Sequence, residues 1–469
     1  METMGKAGQA LKQVLTSYDI SQSQLATELG VERPIVFRWF HEQTDPTAET
    51  VAEIVRAIQI IDPEASREFV EIYLGHLTTN APTNLIRLDS GQLPESDQVD
   101  VVALSRLFSN ITTSYKYLFF LSLLDILKRR QFEVLSSISF KEIIVEMLAN
   151  AWYPHTYFKL SFGTQDKIAQ KLDSLTLEIT ASILKFTDTN KKLLRTTIAF
   201  QDLSDSINYL KRYVPFRLIA PFLDAELKAA KVSKGRGNDL EKAIPAIADH
   251  YFDSQKPLYK FDQTDYNHCE SIFIHPDWAT YLEKHYAIIR GWASWEWVKY
   301  MQQRNPNTPN IVSKIFMPQQ RGSLSSQTKY WKQVLAVQPV SCIYSGQLLD
   351  QENLSLDHYL PWSFVAHDQL WNLIPTHPSV NASKSNNLPS VTYFNDFVEL
   401  QYLGLTASYQ VLSHQKWLKA VESHISELKM SDAEDLLDIE KLRKAYELTI
   451  HPLMSLATIQ GFSPDWSYH

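Results

Sequence analysis

The sequence predicts a mainly α-helical chain of several domains that carries one small β-hairpin unit. Three observations support that expectation. Apolar residues recur at helical spacing along most of the chain, as in Ala10, Leu11, Val14 and Leu15. The 469 residues are too many for one ordinary core, so two to four domains are expected. One stretch, Leu354 to Pro389, departs from the helical pattern: two short apolar runs are separated by turns rich in oxygen and nitrogen side chains.

Hydrophobic residues make up 44% and aromatics 12%, which is the composition of a folded globular chain. The formal charge of −8 excludes a uniformly basic surface but leaves room for a local basic groove. Cys269 and Cys342 are far apart, so there is neither a disulfide framework nor a run of paired cysteines for zinc, and a cytoplasmic, reducing location is expected. No stretch reads as a signal peptide or bilayer span. The most apolar window, Tyr115 to Ile126, is too short and reads as a buried helix, so no membrane partner is expected.

Residues 1–78 read as five helices. The first carries Ala10, Leu11, Val14 and Leu15; Ser21 caps the second, with Leu25, Ala26 and Leu29. Gly30 suits a tight turn that needs positive φ, and the third helix holds Ile35, Val36 and Trp39. A fourth follows Pro46, and a fifth spans about Pro63 to Leu77. The run Gln24-Leu-Ala-x-x-Leu-Gly-Val followed by a short helix resembles the phage-repressor (XRE/Cro) type of helix-turn-helix domain. The resemblance implies that the third helix faces the major groove, with Arg33, Arg38 and Gln43 as contacts. Against this, the segment holds 6 basic and 12 acidic residues, a poor balance for neutralising phosphates. DNA binding and protein docking both stay open here, the latter as a homodimer or within a larger, RNA-guided complex.

Residues 79–100, polar and rich in Ser, Gly and Asp, read as a linker. Residues 101–330 read as a large helical domain, with helices at Val101–Phe108, Tyr115–Leu127, from Phe140 onward and at Leu172–Phe186. Within it, residues 191–236 hold ten basic and four acidic side chains, a net of +6. Lys211, Arg212, Arg217, Lys231, Lys234 and Arg236 are candidate phosphate contacts. Arg290 and Arg304, among Trp292, Trp295, Trp297 and Tyr300, are candidates for clamping or stacking on nucleic acid, although core packing of these tryptophans reads equally well.

Residues 331–395 carry the chemistry. Cys342-Ile-Tyr-Ser-Gly346, Leu356-Asp357-His358 with Pro361 and Ser363, Asn372-Leu-Ile-Pro375 and Asn381-Ala-Ser-Lys384 follow one another along a hairpin and a short helix. This segment resembles the HNH endonuclease family, whose fold is a ββα-metal unit. The resemblance implies phosphodiester hydrolysis with one divalent cation, Mg²⁺ or Mn²⁺. His358 would be the general base, a role that an imidazole suits. Asp357 and Asn381 would be the metal ligands, Asn372 would brace the loop and orient the His358 ring, and Lys384 would contact phosphate. Where many relatives hold a four-cysteine zinc, this chain keeps only Cys342, the other positions being Ser345, His377 and Val380. No structural zinc is expected, and Trp362, Trp371 and Leu373 are expected to hold the hairpin instead. His367, Asp368 and His377 read as loop residues first and metal ligands second.

Residues 396–469 read as a helical extension packed on that unit. The combined reading is a metal-dependent DNA endonuclease, with bacterial restriction or anti-phage defence implied by resemblance of the combination. Two other readings remain open: a subunit of a larger defence or RNA-guided complex, and a helix-turn-helix regulator with a vestigial nuclease fold.

Overall fold

A computed structural model of the chain describes residues 6–18, 20–41, 43–78, 93–109, 111–175, 177, 188–230, 232, 239–316 and 322–469. It divides into two compact units, Met1–Gly91 and Gln92–His469.

The first unit consists of five helices, α1 (Lys6–Ser17), α2 (Gln22–Leu29), α3 (Arg33–Phe40), α4 (Ala48–Ile61) and α5 (Pro63–Thr78). Local chemistry sets each boundary. The Ser21 hydroxyl accepts from the Gln24 amide at 3.1 Å, satisfying one of the free N–H groups that open α2. Gly30 closes α2 at φ +69°, a left-handed conformation that a Cβ disfavours. Asp62 opens α5, its Oδ1 accepting from Glu64 and Ala65. Leu11, Val14, Leu25, Val36, Ile54, Ile58 and Phe69 make the buried centre. The α2–turn–α3 pair is the expected helix-turn-helix.

The second unit has two cores. The first gathers helices Tyr115–Arg129, Phe140–Trp152 and Tyr286–Arg304 with shorter ones around them. Leu93 and Val99, from the stretch read as a linker, are buried in this core. It also contains a three-stranded antiparallel sheet of β1 (Ile138–Ser139), β2 (Tyr259–Phe261) and β3 (Ser271–Ile274) in the order β1-β3-β2. A purely helical domain was expected here. Strands of two to four residues are too short for an alternation of buried and half-buried positions to distinguish them from helix. Of the expected Leu172–Phe186 helix, the described part ends at Asp173 and residues 178–187 lie outside the described residues.

Charges are buried with their partners in this body. Glu146 is fully buried and ion-paired to Arg129 at 2.8 Å, Lys191 at 3.2 Å and Arg195 at 3.5 Å. Asp125 pairs with Lys191 at 3.1 Å and Arg290 at 3.2 Å. Burial raises the Asp125 pKa, and Lys191 and Arg290 more than offset that, leaving the carboxyl below its ordinary value.

The second core joins the hairpin strands β4 (Ser355–His358) and β5 (Leu373–Thr376) to helices Ser325–Val337, Phe394–Val411, His414–Glu427 and Ile439–Ile459. Trp331, Trp371, Trp417, Tyr359 and Tyr446 are its largest fully buried side chains. Trp371 and Leu373 lie in this core, as expected of residues that hold the hairpin. Trp362 does not. Its ring joins the first core, 5.9 Å from that of Phe158, because the short helix Trp362–Val365 turns its first residue toward the helical body.

Candidate active site

β4 and β5 pair antiparallel with Asp357 opposite Ile374 and His358 opposite Leu373. The chain then enters the helix Pro378–Lys384, whose Pro sits in the first turn where its missing N–H costs nothing. This is a strand–strand–helix unit, and it presents Asp357, His358 and Asn381 to one pocket of about 640 Å³.

Asn372 is fully buried and ties the loop between the strands. Its Oδ1 accepts from the Leu360 amide at 2.8 Å, and its Nδ2 donates to the Leu360 carbonyl at 2.9 Å. The Tyr359 amide donates to the Asn372 carbonyl at 2.9 Å. Asn372 therefore braces the loop, but it does not hold the His358 ring.

Asp357 is 2% exposed and held on both oxygens: Tyr344 donates its hydroxyl to Oδ2 at 2.7 Å, and Lys384 Nζ lies 3.0 Å from Oδ1. Lys384 also donates to the His358 carbonyl at 2.6 Å. This corrects the expectation of a phosphate contact. Lys384 is fully buried, and its ammonium donates to the strand at Asp357 Oδ1 and the His358 carbonyl. Burial lowers its pKa and Asp357 opposes that shift. Burial and the Asp357 charge hold the Tyr344 hydroxyl well above its ordinary value, so it stays a donor.

Asn381 donates through Nδ2 to the Ser355 hydroxyl at 2.8 Å and to the Leu356 carbonyl at 3.0 Å. That fixes the amide and leaves Oδ1 without a hydrogen-bond partner among the described residues. A carboxylate and an amide oxygen on one pocket are hard donors whose chemistry fits a divalent cation such as Mg²⁺. Tyr344 and Lys384 fix the carboxylate, as the outer partners of such a cation would.

His358 Nε2 is 2.9 Å from Asp368 Oδ1. Asp368 lines the same pocket, so the residue read as part of a loop is the one that holds the imidazole. Burial, then the His358 charge, pushes neighbouring His367 down to about 4. Its Nδ1 accepts from the Gln369 amide and its ring lies 5.4 Å from that of Trp371, so it packs the hairpin loop.

Residues 342–390 match the family described as HNH endonuclease, and residues 11–65 match the family described as helix-turn-helix. No curated protein and no solved structure matches the chain. The chain carries an HNH endonuclease domain.

The HNH domain does not build its pocket alone. Tyr157, Gly322, Leu324 and Thr328, all outside the matched residues, complete the lining. Tyr157 ends a π-helical turn, Tyr153–Tyr157, a rare geometry that recurs at functional sites. Cys342 is buried with its Sγ 3.2 Å from the Thr376 hydroxyl.

The remaining candidates separate into surface and interior groups. Arg212 and Arg217 are exposed and flank the Tyr213 ring at 4.9 and 4.6 Å, with Lys211 half-buried beside them; Arg217 also pairs with Glu241. Lys231, Lys234 and Arg236 lie outside the described residues. Arg290 is not a nucleic-acid clamp here, because its guanidinium is committed to Asp125 and to Ser294 at 2.7 Å. Arg304 lies over the Tyr300 ring at 5.2 Å and donates to the Thr112 carbonyl at 3.3 Å. Of the tryptophans near it, Trp297 is buried and Trp295 is exposed. On α3, Arg33 and Arg38 are exposed, and the Phe37 and His41 rings have centroids 4.1 Å apart. Among the described residues, no helix is long and apolar enough to cross a membrane.

Tyr344 was missed, and Asp368 was read as a loop residue or metal ligand rather than as the partner of His358. The signal for Asp368 was weak: an acid ten positions after His358, inside the loop that Asn372 closes.

Proposed function

We propose that this protein is a divalent-metal-dependent endonuclease that hydrolyses phosphodiester bonds in DNA. The observation that carries this reading is the convergence of His358, Asp357 and Asn381 on one pocket. His358 takes a proton from the attacking water. Asp357 and Asn381 would hold the cation which, when bound, supplies positive charge to the scissile phosphate and the leaving oxygen. Asn372 and Lys384 keep the strands and the Asp357 carboxylate in register for that step. The exposed Arg212–Tyr213–Arg217 group suits a phosphate backbone, and the helix-turn-helix domain recruits the enzyme to DNA or to a partner. A role in restriction or anti-phage defence fits a nuclease fused to a repressor-like domain.

The test is cleavage of supercoiled, linear and single-stranded DNA, and of RNA, with Mg²⁺ or Mn²⁺ and with EDTA. Metal-dependent nicking that disappears in His358→Ala is expected. Cutting that survives this substitution overturns the assignment, and exclusive cleavage of RNA overturns the substrate.

A further inference from the structure

We propose that Asp368 is the positioning residue for His358, fixing the imidazole so that Nδ1 is the atom that takes the proton. This rests on the endonuclease reading above. A carboxylate can only accept hydrogen bonds, so the 2.9 Å contact between Asp368 Oδ1 and His358 Nε2 puts the ring proton on Nε2. The lone pair is then on Nδ1, which has no hydrogen-bond partner among the described residues. Both side chains line the pocket that holds Asp357 and Asn381.

The carboxylate is itself held in place. Asp368 follows the left-handed residue Ala366, at φ +54°, and its carbonyl accepts from Gln327 Nε2 at 2.8 Å. Upstream, Asn310 Nδ2 donates to the Val365 carbonyl at 2.8 Å and Lys314 Nζ to the Phe364 carbonyl at 2.5 Å. Asn310, Lys314 and Gln327 all lie outside the matched HNH residues. The loop carrying Asp368 is thus pinned from the rest of the unit, which is what aiming a side chain requires. In the hydrolytic step, water gives its proton to Nδ1 as its oxygen bonds phosphorus. The bond from phosphorus to the leaving sugar oxygen breaks, and that oxygen takes a proton from solvent. The imidazolium formed keeps its Nε2–H on Asp368, whose charge stabilises it, and later releases the Nδ1 proton to solvent.

Two measurements on the full chain test this. The first is ¹⁵N NMR of histidine-labelled protein at mildly alkaline pH, with the His358 signal assigned by its loss in His358→Ala. The native protein is expected to show the Nε2–H tautomer, and Asp368→Ala a mixture of the two. A native Nδ1–H tautomer, or no change in Asp368→Ala, overturns the proposal whether or not the protein cuts DNA. The second is a cleavage cycle with Mn²⁺ and plasmid DNA. Asp368→Asn is expected to lower the single-turnover rate about 10- to 100-fold, with unchanged plasmid affinity and an unchanged melting temperature. Added to His358→Ala, it is expected to cost nothing more. A multiplicative loss in the double variant shows that Asp368 acts elsewhere. A native protein that cuts nothing while showing the Nε2–H tautomer refutes the endonuclease reading and leaves the positioning contact standing.

Discussion

Lys384 Nζ sits 3.0 Å from Asp357 Oδ1 with both side chains out of water. Removing one partner of such a pair leaves the other charge buried and uncompensated. Lys384→Met is therefore expected to destabilise the second unit by about 3 kcal/mol, read by urea denaturation. If Asp357 ligates a cation, Mn²⁺ replaces the missing positive charge. The melting temperature of Lys384→Met then rises more with Mn²⁺ than that of the native protein. An equal rise in both argues against Asp357 as a ligand.

Asn372 makes two hydrogen bonds to one residue, Leu360, across the loop that follows His358. Asn372→Ala strands a buried N–H and a buried C=O. The expected cost is about 2 kcal/mol in stability, together with loss of cleavage. Asn372→Asp keeps the acceptor for the Leu360 amide but loses the donor for its carbonyl. It sets a second oxygen against that carbonyl at a fully buried position, so it should also melt below the native protein.

His424 is fully buried, its Nε2 3.1 Å from Gln401 Oε1, and burial pushes its pKa down to about 3. His367 is likewise held near 4. Between these values and the ordinary histidine value of about 6.5, the unfolded chain binds protons that the folded chain does not. Stability is thus complete above about 6.5 and falls as the pH drops toward 4 and then 3. Denaturation followed from neutral to mildly acid pH should show the decline, and His424→Gln should flatten it. A slope unchanged in that variant would assign the acid sensitivity to other groups, such as Asp125.

The two arginines singled out on the body should behave differently. Arg212 is exposed, and Arg212→Ala is expected to weaken DNA binding and lower the salt dependence by about one phosphate contact. Arg290 is tied to Asp125, so Arg290→Ala is expected to lower the melting temperature and leave the salt dependence unchanged. Filter binding across a salt series, paired with thermal melts, separates the two effects.

The HNH hairpin was legible because its residues are close in sequence. Asp357, His358, Asn372 and Asn381 lie within 25 residues, and each depends on strand or helix spacing that the chain displays. The helix-turn-helix was legible for the same reason, with Ser21 and Gly30 marking the turn. What sequence spacing could not show was pairing. A lysine three residues after Asn381 looks like a phosphate contact until its burial against Asp357 is known. Arg290 looks like a clamp until Asp125, 165 positions away, is found beside it. The small sheet was illegible because β1 and β3 are two and four residues long and meet only in three dimensions.

Trp362 begins a four-residue helix shortly after β4, yet its ring belongs to the neighbouring core. Its helix ends on carbonyls that accept from Asn310 and Lys314. The consequence is for portability. A gene fragment encoding only residues 342–390 would carry every side chain of the hairpin but none of the scaffold that shapes its loop. A graft of this hairpin into another host should therefore include the segment from Asn310 onward and a substitute for the Phe158 ring. Recombination that preserves the enzyme is expected to exchange the whole second unit and to vary freely only in the helix-turn-helix fused ahead of it.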